Sequence, residues 1–193
     1  MTKIDTTSRN YNVMDIANFI VDSLNKKNTP ISNLLLQKVL YYVYVDFLAT
    51  KQIKLFNDPI EKWPYGPVIR EVYYSFKSNG SSPILSTETV TIDESEKKET
   101  DIELFGMYFR SFDSKRFEDE ANDSDLKEIR EVSEKLAQDY NNSPFKLVDI
   151  THEEPMWKNH KIEIENRTWT LPYNDGELIK YFRGSTHRPW QKQ

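Results

Sequence analysis

Three histidines, a run of carboxylates and a set of aromatic residues are the parts of this sequence that could do chemistry. His152-Glu153-Glu154 and His160 invite a metal reading. The spacing does not suit it, because a His-Glu-x-x-His site needs two histidines one helical turn apart. With His187 the histidine inventory is complete, and cysteine is absent, so neither a Cys-ligated zinc nor a thiolate nucleophile is available. No Gly-x-Ser-x-Gly elbow, phosphate loop or dinucleotide fingerprint occurs, and five glycines leave little for loops that cradle phosphate. Paired carboxylates are frequent but lie in polar runs. The expectation is a protein that is not an enzyme and carries no cofactor or metal.

Two other groups stand out. Gln37, Lys38, Tyr41 and Tyr42 fall on consecutive turns of an apolar stretch, and Gln37 and Tyr41, four apart, share a helix face. If that face is buried, Gln37 must find hydrogen-bond partners. Trp63, Tyr65, Gly66 and Pro67 form a compact aromatic turn. Gly66 admits backbone angles closed to other residues, and Pro67 is suited to the first position of a helix. Three readings stay open for these aromatics: a clasp holding a turn against the core, anchors that face a partner, or the wall of a small-molecule pocket. His152 is expected to end a helix or to hydrogen-bond near Trp157.

These residues need elements to hold them. Val13, Ile16, Ala17, Ile20 and Leu24 recur with helical period, and Asn12 is placed to cap them. Thr29-Pro30 is expected to open a second helix that continues from Leu34 to Leu48, with Leu36, Leu40, Val43 and Phe47 on one stripe. A helix so apolar belongs at the centre. Residues 59–63 are expected to be extended, and a third helix with Val68, Val72, Tyr73 and Phe76 inward is expected to start at Pro67. A short strand is predicted within 87–92, a short helix over 102–112, a long helix with Leu126, Ile129, Val132, Leu136 and Tyr140 capped near Ser124, and a short helix after Ser143-Pro144. The alternation around Ile162 and Ile164, continued through 167–171, predicts a small hairpin. Asn174 with Glu177 forms a capping box for a last helix. The fold class is therefore mainly α (α+β): a compact body of five to seven helices with a small antiparallel β element.

The chain of 193 residues has 26 basic and 31 acidic side chains, a net charge of −5. The excess is local: residues 93–125 hold twelve acidic and five basic side chains, a net of −7. No basic stripe appears, so direct nucleic-acid binding is not expected. No apolar run approaches the ~20 residues of a membrane span, and Met1–Asn10 lacks a signal-peptide centre. The expected location is the cytoplasm. The expected division is a flexible terminus over 1–11, a domain over 12–182 in which 93–125 is an acidic, flexible insertion, and a tail over 183–193. The tail's Thr186-His187-Arg188-Pro189-Trp190 partly echoes Thr151 to Trp157; chance is the default reading, a docking segment the sharper one.

Three passages in order resemble a known family: Leu36-Gln37-Lys38-Val39-Leu40-Tyr41-Tyr42; Ile60-Glu61-Lys62-Trp63-Pro64-Tyr65-Gly66-Pro67-Val68 with Val72-Tyr73; and Thr151-His152-Glu153-Glu154-Pro155-Met156-Trp157. Together they are similar to the SocA-like antitoxin domain, also called Panacea, over roughly residues 13–182. Met156 stands between Pro155 and Trp157, where the family commonly has proline directly before tryptophan. The resemblance implies an antitoxin of a two-gene module, common in prophages, that neutralises a cognate toxin by direct complex formation. It also implies that some such proteins present the toxin to a AAA+ protease. Only about ten residues precede the first helix, so no separate DNA-binding module is expected. The signature residues carried over, as partner-binding or structural positions, are Gln37, Lys38, Tyr41, Tyr42, Trp63, Tyr65, Gly66, Pro67, Tyr73, His152 and Trp157. The alternative is a prophage-encoded regulator, a proteolytic adaptor or an inhibitor of a host defence protein, with no toxin partner.

Overall fold

The computed structural model describes residues 7–166, 171–184 and 188–191. The most apolar segment of the chain does become the centre: helix α2 (Asn33–Asp46) and the π-helical turn after it (Phe47–Lys51) are buried without interruption from Leu35 to Ala49. Ser32, not Thr29-Pro30, caps α2, its hydroxyl accepting from the Leu35 amide. Ile31 is turned into the core ahead of it, so the chain is still extended at Pro30. Helix α1 (Val13–Lys26) lays its apolar stripe on the same core, with the Asn12 side chain accepting from the Met14 amide at 2.9 Å.

Residues 7–11, expected to be flexible, are tied down. Strand β1 (Thr7–Ser8) pairs in parallel with β2 (Ile53–Lys54), and Arg9 reaches the buried carboxylate of Asp125 at 2.5 Å. Strands β3 (Ile60–Trp63) and β4 (Gly66–Ile69) form an antiparallel hairpin whose loop is Pro64-Tyr65. Pro67 therefore sits in a strand opposite Lys62 and not at the start of a helix. A proline is tolerated there because a two-stranded ribbon has an edge that needs no donor. Helix α3 (Arg70–Ser75) follows. The free edge of β3 is covered by the segment Leu171–Tyr173, through the Lys62 amide to the Leu171 carbonyl and the Tyr173 amide to the Ile60 carbonyl, both 2.8 Å.

The acidic stretch folds. Strands β5 (Val90–Ile92), β6 (Ile102–Leu104) and β7 (Met107–Arg110) make an antiparallel sheet in the order β5-β7-β6. The helix predicted over 102–112 is thus replaced by a hairpin turning at Phe105-Gly106, both with positive φ. Arg110 and Arg116 both bond Asp15 of α1, and Phe117 of α4 (Ser114–Glu120) packs edge-on against Phe19 at 5.4 Å. Asn122 caps the long helix α5 (Asp123–Tyr140). Helices α6 (Phe145–Glu153) and α7 (Pro155–Lys158) then cross the β3–β4 turn. The hairpin expected at 162–171 is not formed: Lys161–Glu165 is helix α8, and residues 167–170 lie outside the described residues. Ile164 is buried while Ile162 is 72% exposed, so the alternation of isoleucine with glutamate fits one and a half helical turns as well as a strand. Helix α9 (Asp175–Gly184) starts at Asn174, whose side chain accepts from the Glu177 amide.

The mainly helical body with small antiparallel sheets agrees with the sequence. The C-terminal segment is the addition. Trp190 is buried against Tyr42 and Phe182, with ring centroids at 5.2 and 5.7 Å, and its Nε1 donates to Asp46 at 2.7 Å. Burial first, and then the neighbouring Asp46, push the Glu128 carboxyl up to about 7. Trp190→Phe keeps most of the packing but strips one bond from a buried carboxylate. It is expected to lower the unfolding free energy by about 1–2 kcal/mol, read by urea titration.

Candidate functional site

The signature residues converge on one place, where α2, the β3–β4 hairpin and the α6–α7 corner meet. Gln37 is fully used within the fold: its amide nitrogen donates to Asn33 Oδ1 at 3.1 Å and its oxygen accepts from the Ile69 amide at 2.9 Å. One turn on, Lys38 is wholly buried, and its Nζ donates to the Pro67 carbonyl at 3.1 Å. Burial pulls its pKa down to about 7, against the charge of Glu154, which raises it. Tyr41 and Tyr42 project from the same helix, and both hydroxyls donate to Glu154, at 2.5 and 3.0 Å. Burial drives the Glu154 carboxyl up to about 8, although both hydroxyls and Lys38 oppose the rise.

Gly66 explains how these parts fit. Its φ is +88°, and a Cβ there would lie 2.5 Å from Thr151 Oγ1 and 3.0 Å from Lys38 Nζ. The hairpin backbone can approach α2 and α6 only because this residue has no side chain. The turn is then gripped from the far side. Trp157 Nε1 donates to the Trp63 carbonyl at 2.9 Å, and His152 Nε2 lies 3.0 Å from the Pro64 carbonyl. That contact puts the proton on Nε2. The two rings stack at 3.7 Å, and burial lowers the His152 pKa, so the imidazole is neutral at pH 7.

The outer shell is aromatic. Trp63 is half-buried, its Nε1 donating to Glu61 at 2.7 Å and its ring 5.0 Å from Tyr73. Tyr65, at the tip of the turn, is 62% exposed, and Phe145, at the start of α6, is 58% exposed. Their rings meet edge to face at 6.0 Å. Tyr74 is exposed beyond Trp63. The site is thus a buried polar interior under an apolar, solvent-facing rim. Among the described residues no group of three or more histidine, cysteine or acidic side chains is placed to hold a metal.

All eleven signature residues lie in or beside this cluster. Sequence reasoning passed over Glu154, Thr151, Glu61 and Phe145. Glu154 was seen only as one of a pair of carboxylates beside a histidine; the signal that marks it out is that it follows His152-Glu153 at a helix end, where the chain turns inward at Pro155.

The profile of the family described as "Antitoxin SocA-like, Panacea domain" matches residues 36–158. The chain belongs to this family. The matched stretch holds the whole clasp just described, from Gln37 to Trp157, and leaves α1, α9 and Trp190 outside. One curated relative, Antitoxin SocA of Caulobacter vibrioides (strain NA1000 / CB15N), is 41% identical over 71 residues. That stretch covers 37% of this chain and 38% of the relative, so the match spans under two fifths of the relative's length. No solved structure matches the chain. No helix among the described residues is long and apolar enough to cross a membrane.

Proposed function

We propose that this Panacea-domain protein is an antitoxin that neutralises a cognate toxin by binding it directly in the cytoplasm, the binding body being residues 12–182. Family membership supports the reading, and one observation carries its location: Tyr65 stands exposed, edge to face with exposed Phe145, on a turn that Trp157, His152 and the buried Lys38–Glu154 cluster hold still. Large, rigid aromatics lose little conformational freedom on contact, which is why such residues anchor interfaces. Trp63, Tyr74 and Tyr73 extend the rim, while Gln37, Lys38, Tyr41, Tyr42, Gly66 and Pro67 support it from within. No bond in a substrate need be made or broken. Delivery of the captured toxin to a AAA+ protease is a second step that the same complex permits.

Co-expression with the product of the adjacent gene tests this. The product alone should arrest growth and the pair should grow. The double variant Tyr65→Ala/Phe145→Ala should keep the wild-type unfolding transition and bind the toxin about 50-fold more weakly, in line with the loss of one or two interface anchors. A neighbour that is harmless alone, or still lethal beside this protein, overturns the reading. Protease delivery would show as a toxin half-life shortened only when this protein is present.

A further inference from the structure

The β5-β7-β6 sheet carries apolar side chains on both faces, with Arg110 and Glu103 on the inner face and Thr91 on the outer. In strands successive side chains point to opposite sides. Val90, Ile92 and Tyr108 face the core, with Val90 and Ile92 buried and Tyr108 packed on it. Arg110, paired with Val90, reaches Asp15 on that same side. The opposite face therefore carries Ile102, Leu104, Met107 and Phe109, since Ile102 pairs with Phe109 and Leu104 with Met107. Three of these four are exposed, and Phe105 at the turn is 92% exposed. An antiparallel sheet that covers one face normally turns polar residues to water on the other.

The edges differ as well. At β5 the Thr91 carbonyl is taken by the Asn12 side chain at 3.0 Å. Among the described residues strand β6 pairs only with β7, which leaves one side of its backbone open. Around the open edge the charge has one sign: residues 93–104 hold six acidic side chains against Lys97 and Lys98, a net of −4. Lys97 is already held by Glu103 at 2.8 Å and lies over the Tyr108 ring.

We infer that the β6–β7 hairpin is a second docking surface, which takes an extended cationic segment of a partner protein as an added strand on β6. Alternate apolar side chains of that segment would cover Ile102, Leu104 and Met107, and its lysines or arginines would lie among Glu94, Glu99, Asp101 and Glu103. A second copy of this chain is the wrong occupant, because it would bring −7 from its own residues 93–125 against −7. A cationic strand satisfies the edge, the apolar face and the charge together. The inference does not depend on the toxin reading, since it uses none of the clasp residues.

The test uses two fluorescein-labelled nine-residue peptides, one alternating Arg with Val or Ile, the other with Glu in place of Arg. Anisotropy is measured on the full chain, with hydrogen exchange to place the peptide. The Arg peptide should bind saturably and protect residues 102–109. Its affinity should fall about tenfold between 50 and 300 mM salt. Two variants probe the two halves of the argument: Ile102→Thr/Leu104→Thr/Met107→Thr with Phe105→Asn, which suits a positive-φ turn, and Glu94→Lys/Glu99→Lys on exposed positions. Each should weaken the peptide at least about tenfold while the unfolding transition stays in place. No saturable binding, equal binding of the Glu peptide, unchanged binding by the charge-reversed variant, or a wild-type dimer in sedimentation that the apolar variant lacks, overturns the proposal.

Discussion

Glu154→Ala is expected to lower the unfolding free energy by about 4 kcal/mol, because it leaves two fully buried tyrosine hydroxyls without an acceptor at a cost of about 1–3 kcal/mol each. Glu154→Gln is expected to behave differently, and pH separates the two. With its pKa pushed up to about 8, the carboxyl is protonated in the folded chain across the acid and neutral range. Glutamine shares the neutrality of that form and keeps one oxygen that accepts from a tyrosine; its amide nitrogen cannot accept, so the other hydroxyl must turn to accept from it. A carboxyl whose folded pKa lies above its unfolded one contributes stability that is whole below the unfolded value, near 4.5, and is lost as pH rises through about 8. Lys38 works the other way. Its folded pKa of about 7 lies below its usual 10.5, so its contribution is whole above 10.5 and is lost as pH falls through 7. Between about 4.5 and 7 Glu154 alone governs the slope from this pair. Urea midpoints measured at pH 5 and pH 8 should therefore show Glu154→Gln within about 1 kcal/mol of wild type at pH 5 and gaining on it by pH 8. A Gln variant whose difference from wild type does not move with pH would mean that this carboxyl is ionised in the fold.

That cluster also marks where sequence reasoning reached and where it stopped. The stripes of α1 and α5 were legible because each helix buries one face against the core, and periodicity records burial directly; α2 was legible because it is apolar nearly all round, as a helix buried on every side must be. The caps at Asn12 and Asn174 were legible because a side chain that satisfies a helix end acts within three residues. The β6–β7 hairpin was not, since nine residues rich in Tyr, Phe and Met fit either period and the deciding feature is a positive φ at Phe105, a residue that gives no warning of it. Pro67 misled for a related reason: proline suits the first turn of a helix, but it is equally at home on a strand that has a free edge. Glu154 and Lys38 were hidden more deeply. A charged residue in a sequence reads as a surface residue, and only the three-dimensional meeting of Tyr41, Tyr42 and Thr151 shows that these two lie inside. The convergence of Trp63 with Trp157, 94 positions apart, could be anticipated from a family resemblance but from no local pattern.

Gly66→Ala is the sharpest probe of the clasp, with an expected loss of about 4 kcal/mol. Two costs add. A residue with a side chain held at φ +88° is strained by about 1–3 kcal/mol. The new methyl would also meet Thr151 Oγ1 at 2.5 Å and Lys38 Nζ at 3.0 Å, and neither has room to yield: Thr151 is wholly buried with its hydroxyl bonded to the Val148 carbonyl, and Lys38 is tied to the next residue of the strand, Pro67. The two costs can be parted. Thr151→Ala removes the oxygen that the methyl would strike and leaves the backbone strain and the Lys38 contact in place. The double variant Gly66→Ala/Thr151→Ala should therefore be more stable than the sum of the single changes by at least about 1 kcal/mol, and still well below wild type. Strict additivity would show that the approach to Thr151 costs nothing, and that Gly66 is required for its backbone angle and its closeness to Lys38. Coupling would show that the turn bearing Tyr65 is positioned by how closely α6 and α2 can approach it. In that case the exposed rim should be lost with the clasp: the Gly66→Ala chain, assayed below its unfolding transition, should bind a toxin no better than the Tyr65→Ala/Phe145→Ala chain, although both aromatic side chains are still present.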